Sequence, residues 1–158
     1  MKSRTIVNQI GFYSSIGFGV GYIPVASGTF GSLLAFPILF FISTLDQYDY
    51  YLLTTIILGT FYGIWSSEVG EIKLATKDPH PIVIDEVCGM MISMLFLPFT
   101  LKYAIVCFVI FRVMDVFKPW PCWRLQDLSG GWGIMLDDVV AGIYTCALVH
   151  ILIWTSLL

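Results

Sequence analysis

The sequence predicts an all-α, polytopic integral membrane protein, with about five transmembrane or membrane-embedded helices after an N-terminal interfacial or re-entrant segment. Hydrophobic residues make up 58% of the chain and charged residues only 12%, which is about half the charged share of a soluble domain. The mean hydropathy is +0.85, and the charges lie in short segments between apolar runs. At 158 residues the chain is predicted to form a single domain, residues 1–158.

The composition also excludes several classes of protein. The net charge is −3 and no basic stripe is present, so no nucleic-acid partner is predicted, and no protein partner is indicated. The four cysteines have no CxxC or metal-ligand spacing, which predicts free thiols, with neither a disulfide framework nor a zinc site. The glycine-rich run 17–21 lacks the full GxGxxG spacing of a dinucleotide-binding fingerprint.

The first 45 residues contain two predicted elements. Lys2 and Arg4 before a glycine-rich apolar run resemble a signal peptide, but the repeated glycines interrupt the apolar core, so residues 10–22 are predicted to be interfacial or re-entrant. The small, hydroxylic residues 27–32 then open an apolar helix to about Leu45. The free amides at such a helix start suit a phosphate oxygen. An ordinary Ser or Thr cap, with glycines that allow close packing, is the alternative.

Four more apolar runs are predicted to be spans: residues 50–66, 82–100, 103–117 and 139–158. Some predicted spans are shorter than the roughly 20 residues that a full crossing needs, so the first of the five can be a partial insertion. Residues 67–81 are predicted to form a polar loop, with His80 on its surface.

Basic residues orient these helices in the membrane. Alternate loops carry the pairs Lys2 and Arg4, Lys73 and Lys77, and Lys118 and Arg124, whereas the opposite loops hold Lys102, Asp46 and Asp49. The basic loops are predicted to be cytoplasmic. This orientation brings four segments to the cytoplasmic face: residues 27–32, 78–86, 112–118 and 130–138. Three tryptophans, at positions 120, 123 and 132, fall in the same layer and are predicted to be interfacial anchors.

Residues 111–142 are the stretch around which the other runs are predicted to be arranged. Arg112 and Asp115 lie three residues apart and share a helix face. Prolines then end that helix, and glycines turn the chain into a helix predicted to be headed by Asp137 and Asp138. Charges at the ends of membrane-length helices are costly and are usually kept for function. The alternative is a salt-bridged hairpin, in which Arg112 pairs with Asp115 and an acid caps the next helix.

Two acidic doublets, Asp85-Glu86 and Asp137-Asp138, predict a metal site. A glycine follows each doublet by one helical turn, at positions 89 and 142, and allows the two helix backbones to approach closely. Facing doublets can hold one or two Mg²⁺ ions. Hard oxygen ligands without clustered His or Cys favour Mg²⁺ or Mn²⁺ over zinc. Helix capping is the alternative for each doublet.

Four segments of the chain resemble the phosphatidylglycerophosphatase A family. They are SGTFGSLLAFP at residues 27–37, IVIDEVCGMMIS at 82–93, FRVMDVFKPWP from residue 111 and GGWGIMLDDVVAG from residue 130. The resemblance implies Mg²⁺-dependent hydrolysis of phosphatidylglycerol phosphate to phosphatidylglycerol and phosphate, at the cytoplasmic face of a bacterial inner membrane, in phospholipid biosynthesis. Family members generally carry an Asp-Arg or similar pair before the Gly-Gly. Here residues 125–129 take that place, and Asp127 is given no role.

The predicted site residues follow from this resemblance and from the chemistry of phosphoryl transfer, which needs positioning and neutralisation of the phosphate oxygens. Arg112 can bind a phosphate bidentately and Lys118 as a point charge. The predicted catalytic residues are Asp85, Glu86, Asp115 and Asp138. The predicted phosphate-binding residues are Thr29, Ser32, Arg112 and Lys118, and the predicted metal ligands are Asp85, Glu86, Asp137 and Asp138.

Some alternatives stay open at this point. Asp115 can be a water-activating base or a third metal ligand, and a phospho-aspartate intermediate is compatible with the sequence. Cysteine phosphatases, soluble aspartyl-phosphate hydrolases and paired-histidine lipid phosphatases are disfavoured, because their motifs are missing. A CDP-alcohol-type phosphotransferase is disfavoured because DGxxAR…GxxxDxxxD is absent. A small carboxylate-coupled transporter is disfavoured because the acids lie at one face and no inverted repeat is visible.

Overall fold

The computed structural model describes the backbone of residues 2–158 and the side chains of residues 5–158, and this part of the chain is helical with no strand. The side chains of Lys2 and Arg4, which contributed to the predicted orientation, lie outside it. The helices are α1 (Lys2–Ser15), α2 (Ser27–Leu33), α3 (Ala35–Ser43), α4 (Tyr48–Leu74), α5 (Ile84–Ser93), α6 (Leu101–Phe117), α7 (Cys122–Leu125) and α8 (Gly131–Trp154). A 3₁₀ segment, Gly17–Tyr22, connects α1 to α2.

Two helices in the described part of the chain, α4 with 27 residues and α8 with 24, are long and apolar enough to cross a membrane. The predicted count of about five spans is not confirmed. The run predicted to span residues 82–100 is divided, because α5 ends at Ser93 and Phe96 adopts a left-handed conformation with φ 61°. Helix α6 has 17 residues, which is below the usual length for a crossing.

Helix α8 is the centre of the fold. It packs against α4, α5, α6 and α7, and its most extensive contact is with α5. The close approach that the sequence predicted at Gly89 and Gly142 is confirmed. A Cβ atom on Gly142 would lie 2.5 Å from the carbonyl oxygen of Gly89, and one on Gly89 would lie 2.9 Å from the carbonyl oxygen of Asp138. Because neither glycine has a side chain, the two helix backbones are in contact there, and the acidic ends of α5 and α8 lie close together.

The polar loop predicted for residues 67–81 begins later than expected, because α4 continues to Leu74. Its last turns pack on α1, and Ser66, Ser67 and Gly70 are buried there. The Lys73 ammonium group lies 3.7 Å above the ring of Phe12. Tertiary contact with α1 thus keeps a polar sequence helical.

The connection from α6 to α8 also differs from the prediction. Helix α6 ends at Lys118, whose φ is 44°, and α8 begins at Gly131 after the short helix α7. A Cβ atom on Gly131 would lie 1.8 Å from the carbonyl oxygen of Ile64, so only glycine fits where α8 starts against α4. The prediction that Asp137 and Asp138 head this helix is wrong, since both lie about two turns inside it.

Candidate active site

A cavity of about 650 Å³ lies where α2, α5, α6 and α8 converge. Its walls also include residues 21–24, residues 78–82 and Gln126 of the loop after α7. Nine acidic or basic side chains line it: Asp78, His80, Asp85, Glu86, Arg112, Asp115, Lys118, Asp137 and Asp138. Such a concentration of charge is unusual in a chain with only 12% charged residues.

Three carboxylates form a tight cluster in this cavity. One oxygen from each of Asp85, Glu86 and Asp138 lies within 4.8 Å of the others. Asp85 and Glu86 come from the first turn of α5, whereas Asp138 comes from the second turn of α8. The two predicted acidic doublets are therefore brought together by the contact at Gly89 and Gly142.

Four oxygens around this cluster are buried without a hydrogen-bond partner among the described residues. They are Asp85 Oδ1, Glu86 Oε2, Asp137 Oδ1 and Asp138 Oδ2. A buried carboxylate oxygen without a partner is costly, and converging hard oxygen donors are the ligands that Mg²⁺ and Mn²⁺ prefer. These residues fit a divalent cation.

Helix capping does not explain the second doublet. The residue that caps α8 is Gly130, and Asp137 and Asp138 are only 4% and 3% exposed. The first doublet does lie in the first turn of α5, where the helix dipole favours acids. The residue that caps α5 is Val83, which makes no side-chain capping hydrogen bond.

Arg112 and Asp115 form the ion pair that their spacing predicts, with 2.7 Å between Arg112 Nη1 and Asp115 Oδ2. Arg112 Nη1 also lies 3.5 Å from the hydroxyl oxygen of Ser32. A guanidinium group has five donors, so the pair with Asp115 leaves capacity for a ligand in the cavity. Asp115 also neighbours Asp138, which connects the ion pair to the acidic cluster.

Lys118 provides a second cation, from the end of α6. Its Nζ lies 2.5 Å from Asp137 Oδ2. Burial lowers the pKa of Lys118, but the hydrogen bond and the negative charge of Asp137 outweigh burial and raise that pKa above its ordinary value. Lys118 therefore stays positively charged beside the acidic cluster at neutral pH.

Two predicted phosphate ligands, Thr29 and Ser32, are not brought to the cavity wall. The fully buried hydroxyl of Ser32 donates a hydrogen bond of 2.8 Å to the carbonyl oxygen of Gly28. Ser32 follows Gly28 by about one helical turn, and its hydroxyl oxygen lies 3.5 Å from Arg112 Nη1. Instead of these two hydroxyls, α2 turns Ser27 and Gly28 toward the cavity.

Gly28 is a site residue that sequence reasoning missed. A Cβ atom there would lie 2.3 Å from Glu86 Oε1 and 3.0 Å from Arg112 Nη1. A side chain at this position would therefore force the carboxylate of Glu86 or the guanidinium of Arg112 to shift from its place in the cavity. The repeated small residues of the segment 27–32 were the available signal, but they do not say which glycine lies at the site.

Three polar residues on the cavity wall were also given no role by the sequence. Gln126 Nε2 donates a hydrogen bond of 2.7 Å to Asp78 Oδ2, which ties the loop before α5 to the loop after α7. His80 lines the cavity, and its carbonyl oxygen accepts a hydrogen bond from the Ser27 hydroxyl at 3.1 Å. Asp127, the acid before the Gly-Gly to which no role was assigned, does not line the cavity.

A profile of the family described as "Phosphatidylglycerophosphatase A" matches residues 13–153. The chain belongs to the phosphatidylglycerophosphatase A family. The resemblance carried by the four sequence segments is thereby confirmed, and the chain is a phosphatase. Its two apolar helices, together with this family, indicate a membrane-associated protein.

Several relatives of this phosphatidylglycerophosphatase A chain match along most of its length. It is 34% identical to a protein of Escherichia coli named "Phosphatidylglycerophosphatase A", over 94% of this chain and 87% of the relative. A protein of Haemophilus influenzae with the same name is 30% identical over 94% and 91%. A Bacteroides thetaiotaomicron protein named "Putative phosphatidylinositol-3-phosphatase" is 37% identical over 87% and 90%. No solved structure matches the chain.

Proposed function

We propose that this chain hydrolyses the terminal phosphate ester of phosphatidylglycerol phosphate, and so releases phosphatidylglycerol and phosphate in bacterial phospholipid biosynthesis. The observation that carries the proposal is the cluster of Asp85, Glu86 and Asp138, with its unpartnered oxygens, beside Arg112 and Lys118 in one cavity. The names of the E. coli and H. influenzae relatives support the substrate.

The acidic cluster is the proposed metal site. Asp85, Glu86 and Asp138 would hold Mg²⁺, or Mn²⁺ in its place, and the free Oδ1 of Asp137 is a further oxygen ligand. A divalent cation bound there would neutralise charge on the phosphate and lower the pKa of a bound water. This assignment gives every unpartnered carboxylate oxygen of the cluster a function.

The two cations of the cavity are proposed to bind the phosphate. Arg112 is held by Asp115 at 2.7 Å and can present its remaining N–H groups to two phosphate oxygens. Lys118 supplies a compact positive charge on the side of Asp137. The negative charge that builds up on the phosphate oxygens in the transition state is stabilised by such preorganised donors.

Asp115 is proposed to act on the attacking water, because it borders both Arg112 and Asp138. In the overall step, water oxygen bonds to phosphorus and the ester P–O bond breaks. The water's proton passes to Asp115, and the protonated Asp115 then gives it up to the leaving alkoxide of the lipid, directly or through water. Thr29 and Ser32 are proposed to have no direct contact with the phosphate, since neither lines the cavity.

The cavity is proposed to face the cytoplasm. Lys118 lies at the end of α6 that reaches the cavity, whereas Lys102 lies at its other end and contacts the carbonyl group of Leu158. Lys77 of the cavity end approaches the carbonyl oxygen of Asp127 at 3.4 Å. An excess of basic residues at one end is typical of the cytoplasmic side of a membrane protein.

Phosphate release by the purified, folded protein in detergent tests this function. We expect release from phosphatidylglycerol phosphate with Mg²⁺ present, at a higher kcat/KM than from phosphatidylinositol 3-phosphate or phosphatidic acid. If folded protein releases no phosphate from phosphatidylglycerol phosphate, the proposal is wrong. A higher kcat/KM on phosphatidylinositol 3-phosphate would instead assign this chain the substrate in the name of the B. thetaiotaomicron relative.

A further inference from the structure

The exposed part of the cavity wall is polar except at one segment. Among the described residues that line the cavity, four apolar or aromatic ones are consecutive or nearly so: Tyr22, Ile23, Pro24 and Ala26. Tyr22 is 55% exposed, and Val25, which lies between Pro24 and Ala26 in the chain, is 71% exposed. We name residues 22–26 the apolar rim. Residues 78–82 lie beside it on the wall, where Asp78 and His80 are exposed, Pro81 is half-buried, and Pro79 and Ile82 are buried.

The apolar rim is held in a fixed place relative to the acidic cluster. A Cβ atom on Gly21 would lie 1.8 Å from the carbonyl oxygen of Pro81, so the chain just before the rim lies directly on the segment that leads into α5. At the other end, the Ser27 hydroxyl donates to the carbonyl oxygen of His80 at 3.1 Å. These contacts at both ends fix the position of the rim at the edge of the cavity.

The apolar surface extends beyond the rim. Phe18 is 84% exposed, and on α1 the side chains of Ile6, Ile10 and Tyr13 are 57%, 58% and 51% exposed. Their spacing of four and three residues places these three on one helix face. No charged residue occurs between positions 5 and 45. Lys73 of α4 lies over the ring of Tyr13 at 5.5 Å, so the part of this surface without a nearby charge is the part around Phe18 and the rim. An exposed apolar segment that ends at a charged cavity fits a ligand with a hydrocarbon part and an ionic head group.

We propose that the apolar rim is the portal for the lipid substrate, where the acyl-chain end of the lipid lies against residues 22–26 and Phe18 while its phosphorylated head group enters the cavity. This inference rests on the proposed function. A phosphatase acting on a membrane lipid must reach the phosphate without withdrawing both chains from hydrocarbon, because every methylene transferred to water costs free energy. The rim lets the chains stay in an apolar environment beside the cavity.

The tryptophan-rich side of the molecule is the competing entry route. Trp120, Trp123 and Trp132 are 66%, 49% and 50% exposed. No residue from 119 to 125 lines the cavity, whereas four of the five rim residues do, all but Val25. The cavity-lining residues that flank Trp120 and Trp123 in the chain are Lys118 and Gln126, which are polar. These tryptophans suit interfacial anchors better than a path for acyl chains.

The portal can be tested with two exposed valines. Val25 on the rim and Val116 on α6 are both 71% exposed, so Val25→Asn and Val116→Asn are matched changes. Phe18→Asn is a second portal variant, next to the rim; φ at Phe18 is 53°, and asparagine tolerates that conformation. Each protein is assayed on long-chain phosphatidylglycerol phosphate in phosphatidylcholine vesicles and on the dihexanoyl form as soluble monomers.

We expect Val25→Asn and Phe18→Asn to raise KM about tenfold for the vesicle substrate, with kcat and the kinetics on the monomeric substrate close to wild type. Val116→Asn should leave all these values unchanged. Equal loss on both substrates, or an equal KM effect of Val116→Asn, overturns the portal. Wild-type protein that releases phosphate from neither substrate would contradict the proposed function instead. If the wild type hydrolyses only the vesicle substrate, KM for that substrate tests the portal. A higher KM for Val25→Asn than for Val116→Asn supports the portal, and equal KM values overturn it.

Discussion

Asp138 is the residue in which the features of the site meet. It belongs to the carboxylate cluster, its Oδ2 is buried without a partner, and its own carbonyl oxygen lies at the contact with Gly89. Because α8 begins at Gly131, the side chain of Asp138 has no capping task at the helix end. A divalent cation at the proposed metal site would compensate the cost of burying this carboxylate.

Asp138→Asn therefore separates metal binding from folding. Asparagine keeps the shape of the side chain and loses one negative charge, so the variant should fold normally and lose activity by a factor on the order of 10² or more. Mg²⁺ should raise the Tm of the wild type, since a ligand that binds only the folded state stabilises it, but not that of the variant. Asp127→Asn, at an acid outside the cavity, is the matched control. Wild-type turnover in Asp138→Asn would remove this residue from the site.

Arg112→Lys tests phosphate binding by a planar group. The change keeps the positive charge beside Asp115 but loses the fork that binds two oxygens at once, so we expect a large fall in kcat/KM, on the order of 10². The matched control is Arg124→Lys, whose guanidinium lies 5.1 Å from the ring of Trp123 and does not line the cavity. Near-normal activity of Arg112→Lys would mean that Arg112 forms the structural ion pair with Asp115 and does not bind the phosphate.

The sequence predicted the charged residues of the site better than the uncharged ones. Arg112, Lys118 and the acids stand out because charge is rare and costly in apolar helices. Gly28 could not be recognised, since its role depends on a gap between Glu86 and Arg112 that only the packed structure defines. Thr29 and Ser32 were predicted as phosphate ligands from their residue type, but α2 turns Ser27 and Gly28 to the cavity instead.

The contact between α5 and α8 is the element that assembles the site. Gly142→Ala would place a Cβ atom 2.5 Å from the carbonyl oxygen of Gly89, and backbone cannot move aside without separating the helices. We expect a lower Tm and strongly reduced activity. Gly59→Ala on α4 is the control, because its Cβ would find only ordinary contacts, the nearest at 3.6 Å from Cys88 Sγ. Alanine in a helix is favoured over glycine by up to about 1 kcal/mol. Equal stability and activity of both variants would contradict the glycine contact.

Helix ends were the least predictable part of the elements. Glycines 130, 131 and 133 predicted a turn, yet α8 starts at Gly131, because that residue packs against the carbonyl group of Ile64. In the same way, the polar residues 67–81 were predicted to form a loop, but contact with α1 extends α4 to Leu74. In both cases a tertiary contact between residues distant in sequence determines where the helix begins or ends. The hydropathy of the sequence does not predict such a contact.

At the scale of the whole molecule, composition was sufficient for the all-helical class, and four sequence segments were sufficient for the family. The number of spans was not predictable in the same way. An apolar run such as residues 82–100 looks continuous in sequence, but it is broken by the turn around Phe96. The family and the metal-compatible cluster together lead to the central claim that phosphate release needs a divalent cation held by buried carboxylates.

Chelation of the folded wild-type protein tests that claim most directly. Phosphate release from phosphatidylglycerol phosphate is measured after treatment with excess EDTA, and again after Mg²⁺ or Mn²⁺ is added beyond the chelator. Because the cluster offers hard oxygen ligands and no sulfur or imidazole, we expect activity to fall to background in EDTA and to return with either ion. Undiminished turnover in excess EDTA would contradict the metal site and point to a metal-free covalent route.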